Sequence, residues 1–568
     1  MSKGPQPLQK SHSHATGRIA PSLLARIPRE ARLVVEIGCK DGALGAAYKQ
    51  INPACTYIGM APSVDPAAEA RLDRVIAGNP DSLDLASLLG TEKADVIVYN
   101  GVLERLADPV AVIAAHAACL SDTGVIVAQI AHGGHWQAVL RLLEGRPWAE
   151  EGAPPPRSFT SQDMANMFEA AGFVVLGLVA AERKDPRQEA FLKAIPPVVA
   201  ALGGAAQAVA ARAGAESFTV IAGRAPAKPL LVQAMMLTPV GAVNDVRVIL
   251  PGAALASRPG IAFAAKVARA DLTLGSRFTD KIFLWHRPVM TRDDAVPKVN
   301  AILERGYTLV VEFDDHPERW PEIEANDYLT YRAAHGVQTT TDPLAEMYRQ
   351  FNPEVTVFPN AVDRLPPLRD KDPETPCRLF FGALNRAQDW APVMPALNRL
   401  LKAFGDRVAV DVLHDQAFFE ALETPHKSFT PTSDYDGYRR RLRQADICLM
   451  PLAETPFNRM KSDLKFIEAA SLGAVALASP VVYAQSLKDG ETGMLFNDAE
   501  SFEARLTMLL SAAALRERLA RAAHAYVAGE RMLAYQVSTR LSWYESLIAR
   551  RADLTEDLRA RVPELGIR

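Results

Sequence analysis

Phe457-Asn458-Arg459-Met460-Lys461-Ser462-Asp463-Leu464-Lys465-Phe466-Ile467-Glu468-Ala469-Ala470-Ser471-Leu472-Gly473 decides how this chain is read. Three cations, Arg459, Lys461 and Lys465, gather around the start of one predicted helix. Ser462 is a good N-cap residue type, so the helix is expected to begin there, its first-turn N–H groups and the positive end of its dipole facing the segment before it. Lys465, Glu468 and Leu472 recur at helical spacing on one face, and Leu464, Ile467 and Ser471 on another. A helix N-terminus reinforced by Lys461, Lys465 and Arg459 is a ready site for a diphosphate. The competing reading is a solvated helix with a Lys465–Glu468 pair, worth about 0.2–0.5 kcal/mol.

The flanking segments favour the first reading. Ala445–Leu452 is a short apolar run of the kind that forms a buried parallel strand, and Ala474–Ala478 is another. Asp489-Gly490-Glu491-Thr492-Gly493 reads as a turn before Met494-Leu495-Phe496. With these residues in place, about residues 229–545 resemble the retaining glycosyltransferases of the GT-B fold, of the family 4 (group 1) type, most closely over Phe381–Phe496. The resemblance implies two Rossmann-like α/β domains: an acceptor-side domain over 229–365 and a nucleotide-sugar donor domain over 370–530. A C-terminal helical tail over 531–568 follows, with Trp543 and Tyr544 expected to pack back on the acceptor side.

The resemblance assigns roles residue by residue. Gly382, Asn385 and Arg386 belong to the loop after the first donor-domain strand, where glycine lets backbone approach phosphate and Arg386 offers a bidentate fork. Asn458, Arg459 and Ser462 join them in binding the donor. Glu468 is the second member of the family's E-x7-E pair and is expected on the ribose, whereas Met460 replaces the first. Tyr435 or Phe429 is the expected stacking partner of the base. Arg386, Lys461 and Lys465 would stabilise the leaving diphosphate. Asp314 and Asp315, with His316, stand at the end of an apolar strand, where open α/β sheets place ligands. They read either as facing the acceptor hydroxyl or as a turn in which Asp315 caps the next helix. A DxD-like metal site is set aside, since GT-B enzymes neutralise the diphosphate with cations and helix dipoles, so no metal is expected. His286 reads as structural, and Pro239-Val240-Gly241 as a small loop beneath the sugar, with Arg247 at the next helix start. Pro359–Asp363 is the expected hinge of domain closure.

The first part of the chain, about 23–225, also alternates strands and helices. Leu33–Gly38 is a strand entering a tight turn, with Gly42 and Gly45 opening a helix. Glu36, Gly38 and Gly42 resemble motif I of the class I S-adenosylmethionine-dependent methyltransferases. The resemblance continues through Tyr57–Met60, Asp95–Pro109, Ser158-Phe159-Thr160 and Ala170–Phe173, implying a third Rossmann-like domain and S-adenosylmethionine as a ligand. Several positions depart from that pattern, among them Ala131-His132 in place of a Pro-Asn pair. Lys40 replaces the middle glycine, Ala61 the acid that holds the ribose, Asn79 an aspartate near the adenine, and Gly101 and Arg105 an Asp and a His. Either a degenerate docking module or a working methyltransferase accommodates them, and Lys40 is placed to bridge Glu36.

Bulk properties set bounds. The 568 residues are 49% hydrophobic and 23% charged with net charge −3, which suits a soluble multidomain protein and gives no electrostatic case for nucleic acid. Five cysteines lie scattered without metal-ligand spacing, as expected of reduced thiols in a cytoplasmic protein. No apolar run is long enough to span a membrane, and Met1–Ser22 reads as a mobile tail without a signal-peptide core. Peripheral membrane contact stays open.

The expected activity is therefore metal-independent transfer of a hexosyl group from a nucleoside diphosphate sugar, UDP or GDP type, to a glycan, lipid or protein hydroxyl in glycan biosynthesis. The alternatives are a bifunctional methyltransferase and glycosyltransferase, or a non-catalytic scaffold. The sugar, the base, the acceptor and the oligomeric state are not written in the residues, and retention of configuration follows from the resemblance alone.

Overall fold

The computed structural model describes residues 21–145, 157–182, 185–238, 242–372 and 374–565. The chain divides into two compact units, Met1–Lys49 with Cys55–Ala227 and Gln50–Ala54 with Lys228–Arg568.

The first unit is built on β1 (Leu33–Ile37), β2 (Thr56–Ala61), β3 (Arg74–Ala77), β4 (Ala94–Asn100), β5 (Leu120–Ala131), β6 (Val174–Glu182) and β7 (Ala215–Gly223). Their order is β3-β2-β1-β4-β5-β7-β6, parallel except where β7 runs antiparallel to both β5 and β6. β1 reads Leu-Val-Val-Glu-Ile and is buried at every position, as a strand covered on both faces must be. The expected tail ends earlier than Ser22. Pro21–Arg26 is a helix, because Leu23 and Ile27 bury fully in the core with Val34 and Tyr48. Residues 1–20 lie outside the described residues.

The second unit holds two further sheets. The acceptor-side lobe carries β8 (Leu230–Met236), β9 (Ile261–Val267), β10 (Asp280–His286), β11 (Thr308–Glu312), β12 (Gly336–Thr339) and β13 (Val355–Val357), in the order β13-β12-β11-β10-β8-β9. The donor lobe carries β14 (Cys377–Gly382), β15 (Val408–Leu413), β16 (Lys427–Thr430), β17 (Ile447–Met450), β18 (Val475–Ala478) and β19 (Met494–Leu495), in the order β16-β15-β14-β17-β18-β19. Both sheets are parallel throughout. β9 lies where the sequence offers no strand candidate; its Ile-Ala-Phe-Ala-Ala-Lys-Val has mostly small side chains and only half-buries at the sheet edge.

After the donor lobe the chain returns. Leu533, Val537, Leu541, Tyr544 and Leu547 pack onto the acceptor-side sheet, where Tyr544 donates to Gln338 Oε1 at 2.9 Å. Trp543 Nε1 donates to Glu354. Apolar burial at roughly 25 cal/mol per Å2 makes this return helix part of the acceptor lobe's core. All five cysteines are buried and free. Among the described residues no helix is long and apolar enough to cross a membrane.

Candidate donor site at a sheet switch point

In the donor sheet the chain runs outward from β14 to β16, then returns to place β17 beside β14. The crevice between the C-terminal ends of β14 and β17 is therefore the topological switch point, where open α/β sheets bind ligands. Both cation-bearing loops arrive there.

The loop after β14 turns through Asn385, held at φ +56°, and presents Arg386. Arg386 donates to Asn458 Oδ1 at 2.9 Å and to Asp389 Oδ2 at 3.1 Å. Asp389 is a buried hub that the sequence did not reveal: its other oxygen accepts from Ala453 N and Asn458 Nδ2. Asn458 thus braces the two loops and is itself buried. Gly382 serves packing, since a Cβ there would lie 2.7 Å from the ring of Phe380.

The helix beyond β17 spans Leu464–Leu472, with Phe466–Leu472 buried, and closes on Gly473 at φ +84°, a left-handed C-cap that suits glycine. Its N-cap is Asp463, not Ser462 as expected. Asp463 O accepts from Phe466 N and Ile467 N, while its carboxylate is taken by the fork of Arg531. Ser462 instead accepts from Asn360 Nδ2 at 2.7 Å. Among the described residues, no hydrogen bond is made by the backbone N–H of Leu464 or Lys465.

The three expected cations meet different fates. Lys465 has no hydrogen bond or ion pair among the described residues; burial, then the nearby charge of Arg386, pushes its ammonium down to about 8. Lys461 is ion-paired with Asp315 from the acceptor-side lobe, and burial lowers it too, against the pull of Asp315. Arg459 turns away, pairing with Glu454 where both side chains are more than half exposed, and so leaves the site. Its solvated partner is sequence-local, five residues back, which is why it points outward.

Asp314 and Asp315 are not free carboxylates. Arg287, at φ +47° just after β10, donates to Asp314 Oδ1 at 2.5 Å and lies 3.9 Å from Asp315. Burial pushes the Asp314 carboxyl up, but Arg287 outweighs it and holds the group down at about 2. Asp315 does not cap the next helix, since His316 Nδ1 accepts from Glu318 N instead. His286 is buried, neither ring nitrogen has a partner among the described residues, and burial drops it to about 4, so the ring is neutral. Arg247 is buried, gripping Glu312, Thr339 O, Phe358 O and Asn360 Oδ1. It ties the crossover segment to the acceptor-side sheet. Residues 239–241, expected beneath the sugar, lie outside the described residues.

Glu468 faces two tyrosines, accepting from Tyr435 and Tyr438 hydroxyls at 2.9 Å each. Burial raises its carboxyl to about 7. Phe429 is no base partner, because it packs on Phe419 against the donor-lobe core. Tyr435 lines a cleft of about 960 Å3 together with Leu384, His414, Asp434, Asp436 and, from the acceptor-side lobe, Asp245. That cleft adjoins the cations, since Leu384 is two residues before Arg386 and Tyr435 is bonded to the helix of Lys465.

The first unit has its own switch point, between β1 and β4. Glu36 is fully buried there, accepting from Asn100 Nδ2 at 2.8 Å and Tyr57 OH at 3.0 Å, and burial raises it to about 7. Gly38 is required at φ +89°, where a Cβ would meet Asn100 O at 2.9 Å, and Gly42 adopts φ +75°. Lys40 adopts φ +52°, unfavourable for a lysine, and is exposed; it makes no bond to Glu36. With Ala61 ending β2 and both oxygens of Glu36 taken by Asn100 and Tyr57, neither position offers a free carboxylate to the ribose of S-adenosylmethionine, so these two positions fit it poorly.

Comparison with known proteins agrees with both halves. Residues 12–178 match the family model described as a methyltransferase domain, and residues 398–540 that described as glycosyl transferase-like. The chain joins a methyltransferase-type domain to a glycosyltransferase-like one. Anabaena HepE, solved with UDP and glucose, is 14% identical over 55% of this chain and 99% of its own, TM-score 0.40. The pneumococcal O-GlcNAc transferase GtfA, solved with UDP and GlcNAc, is 14% identical over 49% of this chain and 59% of its own, TM-score 0.36. An S-adenosylmethionine-dependent methyltransferase from Mesorhizobium loti is 16% identical over 36% of this chain and 95% of its own, TM-score 0.26. No curated protein is matched by sequence.

Proposed function

We propose that the second unit is a glycosyltransferase that takes a sugar from a nucleoside diphosphate donor and passes it to a hydroxyl. The observation that carries this reading is the buried Lys465 at the switch point, within the field of Arg386, with no hydrogen bond or ion pair among the described residues and with the N–H groups of Leu464 and Lys465 unbonded beside it. Arg386 has Asp389 as a counter-charge, but a buried lysine without an ion-pair partner costs energy unless a negative ligand offsets it. A diphosphate supplies that charge, and the glycosyl transferase-like match over residues 398–540 includes Lys465.

In this reading the diphosphate rests on Arg386, Lys465 and the N-terminus of the Leu464–Leu472 helix, and the nucleoside extends into the neighbouring cleft past Tyr435. As the glycosidic bond breaks, negative charge grows on the diphosphate, and fixed cations there stabilise the departing group without reorganising. No metal enters the scheme. Retention of configuration follows the family resemblance. Asp315 is ion-paired with Lys461, a contact that links the lobes. The first unit is a domain of the methyltransferase type without a fitted methyl donor.

A panel of UDP-, GDP- and dTDP-sugars incubated with the full chain, with release of free nucleoside diphosphate as the readout, tests the reading. Turnover with one donor class is expected, reduced about 10²-fold or more in Lys465→Ala. Equal turnover in that variant contradicts it.

A further inference from the structure

We infer that Arg531 is a positioning residue of the donor site: it draws the Asp463 carboxylate off the N-terminus of the Leu464–Leu472 helix and so keeps the N–H groups of Leu464 and Lys465 open to a diphosphate. The inference rests on the donor-site reading above and names the group that holds that site ready.

An aspartate immediately before a helix ordinarily turns its carboxylate onto the first-turn N–H groups. Asp84, Asp108, Asp415 and Asp434 each do so in this chain, with ψ between 82° and 170°. Asp463 occupies the same position and does not. Its ψ is 17°, and its side chain makes no cap bond. The cause is Arg531, whose fork donates to both carboxylate oxygens, to Oδ1 at 2.8 Å. No acceptor of that side chain is then left to turn onto the helix.

Ser462, one residue earlier, is the other side chain able to reach the helix start, and it too is held away. Asn360 Nδ2 donates to its hydroxyl at 2.7 Å. The two holders form one brace, since Arg531 Nη2 donates to Asn360 O at 3.0 Å and Asn360 Oδ1 accepts from Arg247. Tyr526 OH accepts from Arg531 Nη1 at 3.1 Å and fixes the guanidinium further. As a result the N–H groups of Leu464 and Lys465 make no hydrogen bond among the described residues. A carboxylate swung onto them would compete with a diphosphate twice, by taking the donors and by placing negative charge where the anion rests. Arg531 removes both obstacles by acting on Asp463, with no contact of its own to the ligand required.

Calorimetric titration of the full chain with UDP and with GDP tests this in the wild type, in Arg531→Gln, and in Arg531→Gln combined with Asp463→Ala or Asp463→Asn. In Arg531→Gln the freed Asp463 caps the helix, and nucleotide binding is expected to weaken about fivefold, the worth of one cap. Alanine cannot cap, so Asp463→Ala/Arg531→Gln should regain the wild-type affinity. Asparagine caps as well as aspartate, so Asp463→Asn/Arg531→Gln should stay weak. If Arg531 serves the fold alone, the alanine double variant stays as weak as Arg531→Gln, and the inference is overturned. Wild-type affinity in Arg531→Gln overturns it as well, as does equal recovery with asparagine and alanine. Should thermal denaturation show Arg531→Gln unfolded, Arg531→Lys, which keeps the charge but holds one carboxylate oxygen, carries the same comparison. Each of these results leaves the donor-site reading standing, whereas a wild type that binds neither nucleotide overturns both.

Discussion

Lys461 of the donor lobe is ion-paired with Asp315 of the acceptor-side lobe, so one of the cations near the switch point arrives already neutralised. Lys465, four residues on, has no such partner among the described residues. The two lysines therefore divide the work, one linking the lobes and the other awaiting an anion.

Removing the carboxylate changes that division. Asp315→Asn leaves Lys461 partly buried without its counter-charge and should destabilise the ligand-free protein, by on the order of 1–2 kcal/mol. An incoming diphosphate then compensates two lysines rather than one, so the thermal shift produced by nucleoside diphosphate should be larger than in the wild type. Thermal denaturation with and without nucleotide checks this. An unchanged ligand-induced shift counts against a diphosphate near Lys461.

Lys465 makes donor binding proton-linked. Its folded-state pKa is lowered to about 8, so the native protein binds fewer protons than the unfolded chain between about pH 8 and 10.5, and the charged lysine costs stability below about 8. A bound diphosphate favours the ammonium and raises that pKa. Binding should take up about 0.1 proton at pH 7 and nearly one at pH 9. Calorimetry in buffers of different ionisation enthalpy measures the uptake. It should disappear in Lys465→Ala, and uptake that persists there assigns the proton to another group.

Glu468 predicts a stability trend of opposite origin. Burial raises its carboxyl to about 7, so the native state holds a proton that the unfolded chain releases from about pH 4.5 upward. Its contribution to stability is full below 4.5 and is lost as pH rises to 7, beyond which a buried carboxylate faces two tyrosines. Glu468→Gln keeps both hydroxyl contacts without the charge. The difference in melting temperature between the variant and the wild type should be small at pH 4.5 and favour the variant by pH 8, corresponding to roughly 3 kcal/mol. A difference that is flat with pH contradicts the assignment.

Several strands were legible because parallel, two-sided burial writes continuous apolar runs; Ile447–Met450 and Val475–Ala478 are of that kind. β9 was not, because an alanine-rich edge strand carries little apolar signal. Arg386, Lys461 and Lys465 were found from a helix start and a glycine loop, both local patterns. Their partners were not. Asp389 binds Asn458 and Ala453 more than sixty residues away, Asp315 reaches Lys461 across 146 positions, and Arg531 displaces the expected cap by claiming Asp463. Ion pairing is settled by tertiary neighbours, so sequence spacing exposed the cations but not which of them were spent. Arg287 was invisible for the same reason.

The first unit is expected to leave S-adenosylmethionine unbound. Both oxygens of Glu36 are occupied by Asn100 and Tyr57, and the ribose-binding acid is Ala61. Titration of the full chain should show an affinity weaker than about 1 mM, under ~4 kcal/mol of binding free energy. Micromolar binding would require Glu36 to release its partners and would restore the methyl-donor reading.

The central claim is that Arg386 and Lys465 hold one diphosphate between them. Its most direct measurement is the dissociation constant of a nucleoside diphosphate for the wild type, Arg386→Ala and Lys465→Ala, by calorimetry at pH 7 and constant ionic strength. Each substitution removes a charge-assisted contact worth about 1.5–3 kcal/mol and should weaken binding at least tenfold. Wild-type affinity in both variants would show that the cations meet at the switch point without binding a diphosphate, and the account would fail.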